Sequence, residues 1–147
     1  MKNSLKLILY IFTIFIFVNF NSISEEIEFQ SKEITVFEDK NLVVAKDGKA
    51  ISKTHNLIIN AKKFNYYREK EILEGDDTVI FLETRNLELK SKNLIYNKQQ
   101  GLVLANNYVE GKDLLNNLIF KSESLTFDLN SNLLKSDTKT QIIDKFL

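Results

Sequence analysis

Few residues in this sequence have a type and spacing that could support catalysis. His55 is the only histidine, and its place between two predicted strands indicates a solvated turn residue. Adjacent carboxylates occur at Glu25 with Glu26 and at Asp76 with Asp77. Neighbours on a strand point to opposite faces, so neither pair is expected to share a substrate. The sequence has no cysteine, no glycine-rich phosphate loop and no metal-spaced cluster. We therefore expect no enzyme activity, no metal and no cofactor.

The N-terminus has the three-part order of a secretory signal peptide. A short stretch with two lysines precedes an apolar run over residues 7–18, and a polar segment with small residues at Ser22 and Ser24 follows. The run is shorter than the roughly 20 residues that a membrane-spanning helix needs, which favours cleavage after Ser24. The alternative is an uncleaved anchor in the inner membrane. In both cases residues 25–147 are expected outside the cytoplasm.

Length and charge fit one domain that does not bind nucleic acid. The chain has 147 residues, 44% of them hydrophobic, and a formal net charge of zero. This length is typical of a single compact domain. Loss of residues 1–24 would leave 18 basic residues against 20 acidic ones. A nucleic-acid binder needs a basic face that displaces phosphate counterions, so we expect no nucleic-acid partner.

The remainder of the sequence repeats, which is the most informative feature of the chain. Four segments align without gaps from Ile27, Leu57, Leu87 and Leu118, so that their starts are 30, 30 and 31 residues apart. A second apolar patch follows about fifteen residues after each start. The sequence therefore predicts one domain over residues 25–147 that is built from four repeats of about 30 residues.

Within each repeat the apolar period is two, which is typical of a half-buried strand. The alternation breaks once: Ser31 is followed by Ile34, three positions on, and the same step occurs in every repeat. We place a bulge or bend there. Short polar segments separate the strands, and the absence of proline lets every residue donate to a strand ladder. The predicted fold is an all-β, antiparallel repeat β-jellyroll, or stacked open β-roll, after an N-terminal signal peptide.

Inward positions of corresponding strands form apolar ladders along the predicted roll. One ladder contains the four repeat starts. The other three are the candidate groove residues: Phe29, Ile59, Leu89 and Phe120; Ile34, Phe64, Leu94 and Leu125; Val36, Tyr66, Tyr96 and Phe127. These ladders either fill a closed core or line two walls that stand apart and hold acyl chains, and periodicity does not separate the two.

Several short phrases resemble a known family. Residues 43–50, 57–67 and 94–97, with Ala105, are similar to the recurring pattern of the OstA-like domain. This domain is shared by the LptA, LptC and N-terminal LptD components of lipopolysaccharide transport. The resemblance covers roughly residues 27–143. It implies a periplasmic β-jellyroll whose interior, lined by the ladders above, shelters the acyl chains of lipid A.

The resemblance also implies partners. These are lipopolysaccharide and other Lpt-type β-jellyroll domains, which would pair with the open edge strands near Ile27 and Ile142. A cleaved signal favours an LptA-like or N-terminal LptD-like role, and an anchor favours LptC, so the domain could be tethered to the inner membrane or associated with the outer one. Glu74, Gly75, Lys135 and Ser136 depart from the family's apolar pattern.

The resemblance implies a passive mechanism. A groove removes acyl chains from water at roughly 25 cal/mol per Å², and the energy for transport comes from a cytoplasmic ATPase. Lys135, Lys139 and Lys145 are interpreted as charges that keep an edge strand soluble. The alternative function is a structural or adhesive surface repeat with a closed core and no ligand.

Overall fold

The computed structural model describes residues 27–144, so the predicted signal peptide lies outside the described residues. Nine β-strands account for most of this range. Their bounds are β1 Glu28–Phe37, β2 Leu42–Ser52, β3 Leu57–Tyr67, β4 Ile72–Leu82, β5 Leu87–Asn97, β6 Leu102–Asp113, β7 Leu118–Asp128, β8 Leu133–Lys135 and β9 Gln141–Asp144. Single 3-10 turns occur at Glu38–Lys40 and Glu83–Arg85. Residues 27–144 contain no helix with the length and apolar character needed to cross a membrane.

All nine strands belong to one antiparallel sheet in which sequence neighbours pair from β1 to β8. β9 also pairs with β7, so β8 and β9 act as two halves of the last strand. Among the described residues no strand covers the outer edge of β1. The predicted all-β, antiparallel and open architecture is confirmed.

Each long strand bends near its middle, as the step of three in the sequence predicts. In β3, Ala61 and Phe64 are buried, whereas Lys62 and Lys63 between them are exposed. In the even-numbered strands the bend contains residues at positive φ, such as Asp47 in β2 and Asp77 in β4, both at 49°. The two halves of the inward face are therefore turned toward each other, and the core lies between them.

Strand register confirms the predicted ladders. Ile34 in β1 pairs with Ala45, which pairs with Phe64, and the same row continues through Leu94 to Leu125. The rows that begin at Phe29 and Val36 run through the residues predicted for them in β3, β5 and β7. The three ladders thus extend along the sheet, with one residue of each even strand between the predicted members.

Turns stack at both ends of the roll. Backbone N–H groups donate across successive turns, from Arg68 to Asn41 O (2.8 Å) and from Lys98 to Glu71 O (3.0 Å). At the other end Leu114 N donates to Asn86 O at 3.0 Å. Asn41 and Asn86 have left-handed φ of 49°, a conformation that asparagine adopts more readily than most residues. These asparagines allow the short connections to reverse the chain direction while backbone N–H and C=O groups of the turns remain hydrogen-bonded.

Gly48 is required by the close approach of β1 to β2. A Cβ at this position would overlap the carbonyl oxygen of Gln30 and the Cα of Ser31, both backbone atoms. Gly48→Ala is expected to lower the free energy of unfolding by about 1–3 kcal/mol, because β1 must shift. Gly75→Ala is the control, since its Cβ would meet the end of the Thr78 side chain at 2.8 Å. Urea denaturation should show a larger loss for Gly48→Ala; equal losses would contradict this account.

Candidate functional site

Nine of the twelve candidate groove residues are buried. They are Ile59, Phe64, Tyr66, Leu89, Leu94, Tyr96, Phe120, Leu125 and Phe127. The two walls meet here: the ring centroid of Phe29, from the first half of β1, lies 5.8 Å from that of Phe64, from the second half of β3. From β3 to β7 the interior is therefore filled by the ladder side chains, with the walls in contact.

The three candidates on β1 are more accessible. Ile34 is 49% exposed and Val36 48% exposed, while Phe29 is partly buried against the core. Ile34 and Val36 pair with the buried residues Ala45 and Val43, and directly paired residues on neighbouring strands face the same side of a sheet. Both side chains thus face inward, and they are exposed because the stack ends at β1.

A cavity of about 330 Å³ opens at this end of the roll, within the size range of small-molecule sites. Apolar residues and a charged rim line it: Ile27, Phe29, Val36, Val43 and Tyr66, with Glu38, Arg68 and Glu71. We call this cavity the β1 mouth. It continues the ladder that runs through Val36, Val43 and Tyr66. An apolar ligand at the mouth would lie in line with the core.

The rim of the mouth has one unusual polar group. Arg68 contacts Glu38 through Nη2 at 2.6 Å, yet its Nε is buried with no hydrogen-bond partner among the described residues. A buried N–H without an acceptor is costly in a folded protein. The Arg68 Nε–H is therefore a buried donor in a rim residue, without an acceptor among the described residues.

A polar cluster joins the two walls of the core. The hydroxyl oxygens of Ser52 and Tyr96 are 2.8 Å apart, and His55 Nδ1 lies 2.6 Å from the Tyr96 hydroxyl. Ser52 ends β2, whereas Tyr96 lies in the second half of β5, so these hydrogen bonds bridge opposite walls. We call Ser52, His55 and Tyr96 the wall clasp. His55 lies in a turn, as predicted, but it is partly buried and not fully solvated, because its ring packs edge-on against Tyr96.

Burial sets the ionisation of the clasp. It raises the pKa of Tyr96 to about 12, so this phenol stays neutral. Burial, assisted by the positive charge of Lys98, lowers the pKa of His55 below its ordinary value of 6.5. Lys98 itself is buried and pairs with Glu71 at 3.2 Å. Since Glu71 also lines the β1 mouth, the mouth and the clasp share a charged neighbour.

The two acidic neighbours Asp76 and Asp77 have partners on different strands. Both are exposed at the bend of β4, where Asp76 accepts from Asn93 at 3.1 Å and Asp77 from Lys62 at 2.8 Å. Each carboxylate is thus held by a cross-strand partner. Within residues 27–144 no group of three or more histidine and acidic side chains could hold a metal ion.

Sequence reasoning missed the clasp and the charged rim of the mouth. Ser52 and His55 lie outside the four aligned segments, and their contacts join residues more than forty positions apart. Arg68 and Glu71 belong to a polar turn that the sequence marks only as a turn. One signal was present for the rim: Glu38 and Arg68 occupy equivalent turns 30 residues apart, so stacking of repeats brings them together.

Comparison with known proteins adds a fold neighbour. No protein-family model and no curated protein matches this sequence. Among solved structures, the fold is similar to that of LptH from Pseudomonas aeruginosa, described as the LptA homologous periplasmic component of the conserved lipopolysaccharide transport device. The match has a TM-score of 0.71 and 8% identity, and covers 82% of this chain and 96% of that one. At this identity the likeness establishes an LptA-like β-jellyroll fold.

Tyr96→Phe should destabilise the domain through the wall clasp. The substitution removes the hydroxyl and leaves Ser52, which is buried, without that partner. We expect a loss of about 1–3 kcal/mol in the free energy of unfolding. Tyr67→Phe is the matched control, because the Tyr67 hydroxyl donates to Glu74 through a longer contact of 3.3 Å. If urea denaturation gave equal effects for the two variants, the clasp would not join the walls.

The lowered pKa of His55 should make stability depend on pH. As pH falls through 6.5 the unfolded chain binds a proton at His55 more readily than the folded chain. The free energy of unfolding therefore falls over this range. Urea denaturation at about pH 7.5 and about pH 5.5 should show a larger drop for the unsubstituted protein than for His55→Gln. Equal drops would mean that His55 does not contribute.

Proposed function

We propose that this domain carries a lipid, with acyl chains held in the apolar interior and entering at the β1 mouth. The observation that carries the proposal is the mouth itself: an open cavity of about 330 Å³ with apolar walls and a charged rim, in line with ladders that run the length of the roll. The LptA-like fold supports lipopolysaccharide as the lipid and the periplasm as the location.

The physical driving force is removal of apolar surface from water. Ile34 and Val36 are about half exposed on inward-facing positions, and covering them and an acyl chain together gains roughly 25 cal/mol per Å². No covalent step is involved, so we propose a carrier rather than an enzyme. The twelve ladder residues form the proposed groove. Lipid contacts the ladder residues of β1 first. It contacts the ladder residues of β3 to β7 only after the two walls separate.

The polar part of the lipid has a place at the rim. Arg68 Nε is buried without an acceptor, and an arginine N–H donates strongly to carboxylate, phosphate or ester oxygen. We propose that Arg68 holds a headgroup or ester oxygen while the chains lie on Val36 and Val43. This arrangement separates polar and apolar parts of one amphipathic ligand.

Partner domains are proposed at the two ends of the sheet. β1 has an outer edge without a described partner strand, and on β9 Ile142 is 67% exposed. Such edges offer backbone groups for β-augmentation by another β-jellyroll domain. We further propose that residues 1–24 are a signal peptide and residues 25–147 the mature domain. The exposed Lys135 and Lys139 then serve to keep the edge soluble.

The test is lipopolysaccharide binding to the purified domain. Val36→Asp places a charge at the mouth and should weaken binding about tenfold or more, because an ionised carboxylate opposes burial beside an acyl chain. Ile95→Asp is the matched control, since Ile95 is also exposed and apolar but lies on the outer face of β5. Circular dichroism should show that both variants fold.

Equal binding by Val36→Asp, Ile95→Asp and the unsubstituted domain would overturn the mouth as the entry site. Complete absence of binding by the unsubstituted folded domain would favour the structural or adhesive repeat with a closed core. That second reading has a specific observation in its favour, namely the close packing of the ladders from β3 to β7.

A further inference from the structure

The third repeat contains one residue more than the first two, and the structure places it at the bend of β6. The register of β5 with β6 shifts between Lys90 and Asn93, and that of β6 with β7 shifts between Asn106 and Val109. β6 accordingly has 12 residues, whereas its neighbours β5 and β7 have 11 each. The extra residue forms a β-bulge, a device that re-aims side chains.

The bulge holds an aromatic side chain in solvent on a strained backbone. Asn107 and Tyr108 have φ of 59° and 69°, and positive φ is uncommon for a bulky residue. Tyr108 is nevertheless 70% exposed, so burial of its ring does not offset the strain. Positive φ at Asn107 matches the equivalent bend residues Asp47 and Asp77, so the feature peculiar to this repeat is Tyr108. Backbone strain at an exposed bulky residue is found at functional sites, which points to a role for Tyr108 outside the core.

Tyr108 borders a shallow, open cleft of about 430 Å³ on the outer face of the bend. The cleft reaches from Val79 of β4 across Lys90 and Lys92 of β5 to Tyr108. Strands are roughly 4.8 Å apart, so the cleft spans about 10 Å, the scale of a small ligand. It lies on the opposite face of the sheet from the lipid-binding interior proposed above.

The charge of this cleft differs from that of the equivalent places in earlier repeats. Lys32 and Lys62 pair with the bend residues Asp47 and Asp77 at 3.7 and 2.8 Å. In the third repeat Asn107 replaces the aspartate and donates to the Asn93 side chain instead. Lys92, equivalent to Lys32 and Lys62, thus faces no carboxylate across the β5–β6 pair.

Two acidic residues also line the cleft, and each forms an ion pair with a lysine other than Lys92, although Asp77 is close enough to Lys92 for their charges to attract. The Asp77 carboxylate contacts Lys62 at 2.8 Å, and Glu110 contacts Lys121 at 3.5 Å. Lys90 lies 3.6 Å from Glu88. Lys92 lines the same cleft as Tyr108 and, unlike Lys32 and Lys62, forms no direct ion pair across its strand pair, so its ammonium group can attract an anion there.

We propose that this cleft binds an anionic saccharide, a sugar that carries a carboxylate or phosphate. The exposed tyrosine ring offers a flat apolar surface for the C–H face of a sugar ring, and its hydroxyl can donate or accept a hydrogen bond. Lys92 supplies the charge for the anionic group. The site does not depend on lipid carriage, and soluble sugars test it separately.

The experiment is a two-dimensional NMR titration of the purified domain with glucuronic acid, with glucose and acetate as matched probes. Glucuronic acid should shift the amide signals of residues 107–110 and of Lys92. Glucose lacks the anion and acetate lacks the ring, so each should bind at least about fivefold more weakly. No shift with glucuronic acid, or equal shifts with acetate, would overturn the proposal.

Variants separate a binding role from a structural one. Tyr108→Asn suits positive φ better, so it should keep or raise the melting temperature while weakening glucuronic acid binding about fivefold. Lys92→Gln should weaken it similarly, whereas Tyr108→Phe retains the ring and should stay within about twofold. Unchanged affinity in Tyr108→Asn would show that the tyrosine is not part of a site.

Discussion

The bend in the middle of each strand is the constraint on which this structure depends. Two consecutive exposed residues, such as Lys62 and Lys63, interrupt the alternation of buried side chains. Without this change of phase a meander of antiparallel strands would be a flat sheet with one apolar face in water. With it, the two halves of every strand turn their apolar faces toward each other. The core, the β1 mouth and the wall clasp all follow, because each lies where the two halves meet or end.

Much of this fold is readable from the sequence because its information is periodic. The 30-residue spacing and the step from Ser31 to Ile34 predict the facing of the strands and the bend, and register bears the facing out. Directly paired positions must share a face, so ladders follow from alignment alone. The spacing of 31 before the last repeat also carried information, since the extra residue corresponds to the bulge at Tyr108.

The candidate site was less predictable, for two physical reasons. A repeat pattern treats all units alike, yet the end of a stack differs from its middle: Val36 and Tyr96 belong to one ladder, but Val36 is exposed and Tyr96 is buried. Contacts between turns of different repeats, such as His55 with Tyr96, depend on how far the walls close. Local sequence does not encode that distance. The carrier proposal accordingly requires two properties of the same roll, a packed middle and an accessible end.

The central claim is that lipid meets the inward face of the roll and enters at the β1 mouth. Photo-crosslinking in cells tests it most directly, with a photoreactive residue placed at Val36, at the buried Phe64 and at outward-facing Ile95. The account predicts lipopolysaccharide adducts at Val36, fewer at Phe64 because the walls must first separate, and none at Ile95. Adducts at Ile95 equal to those at Val36, or none at either inward position in folded and exported protein, would contradict it.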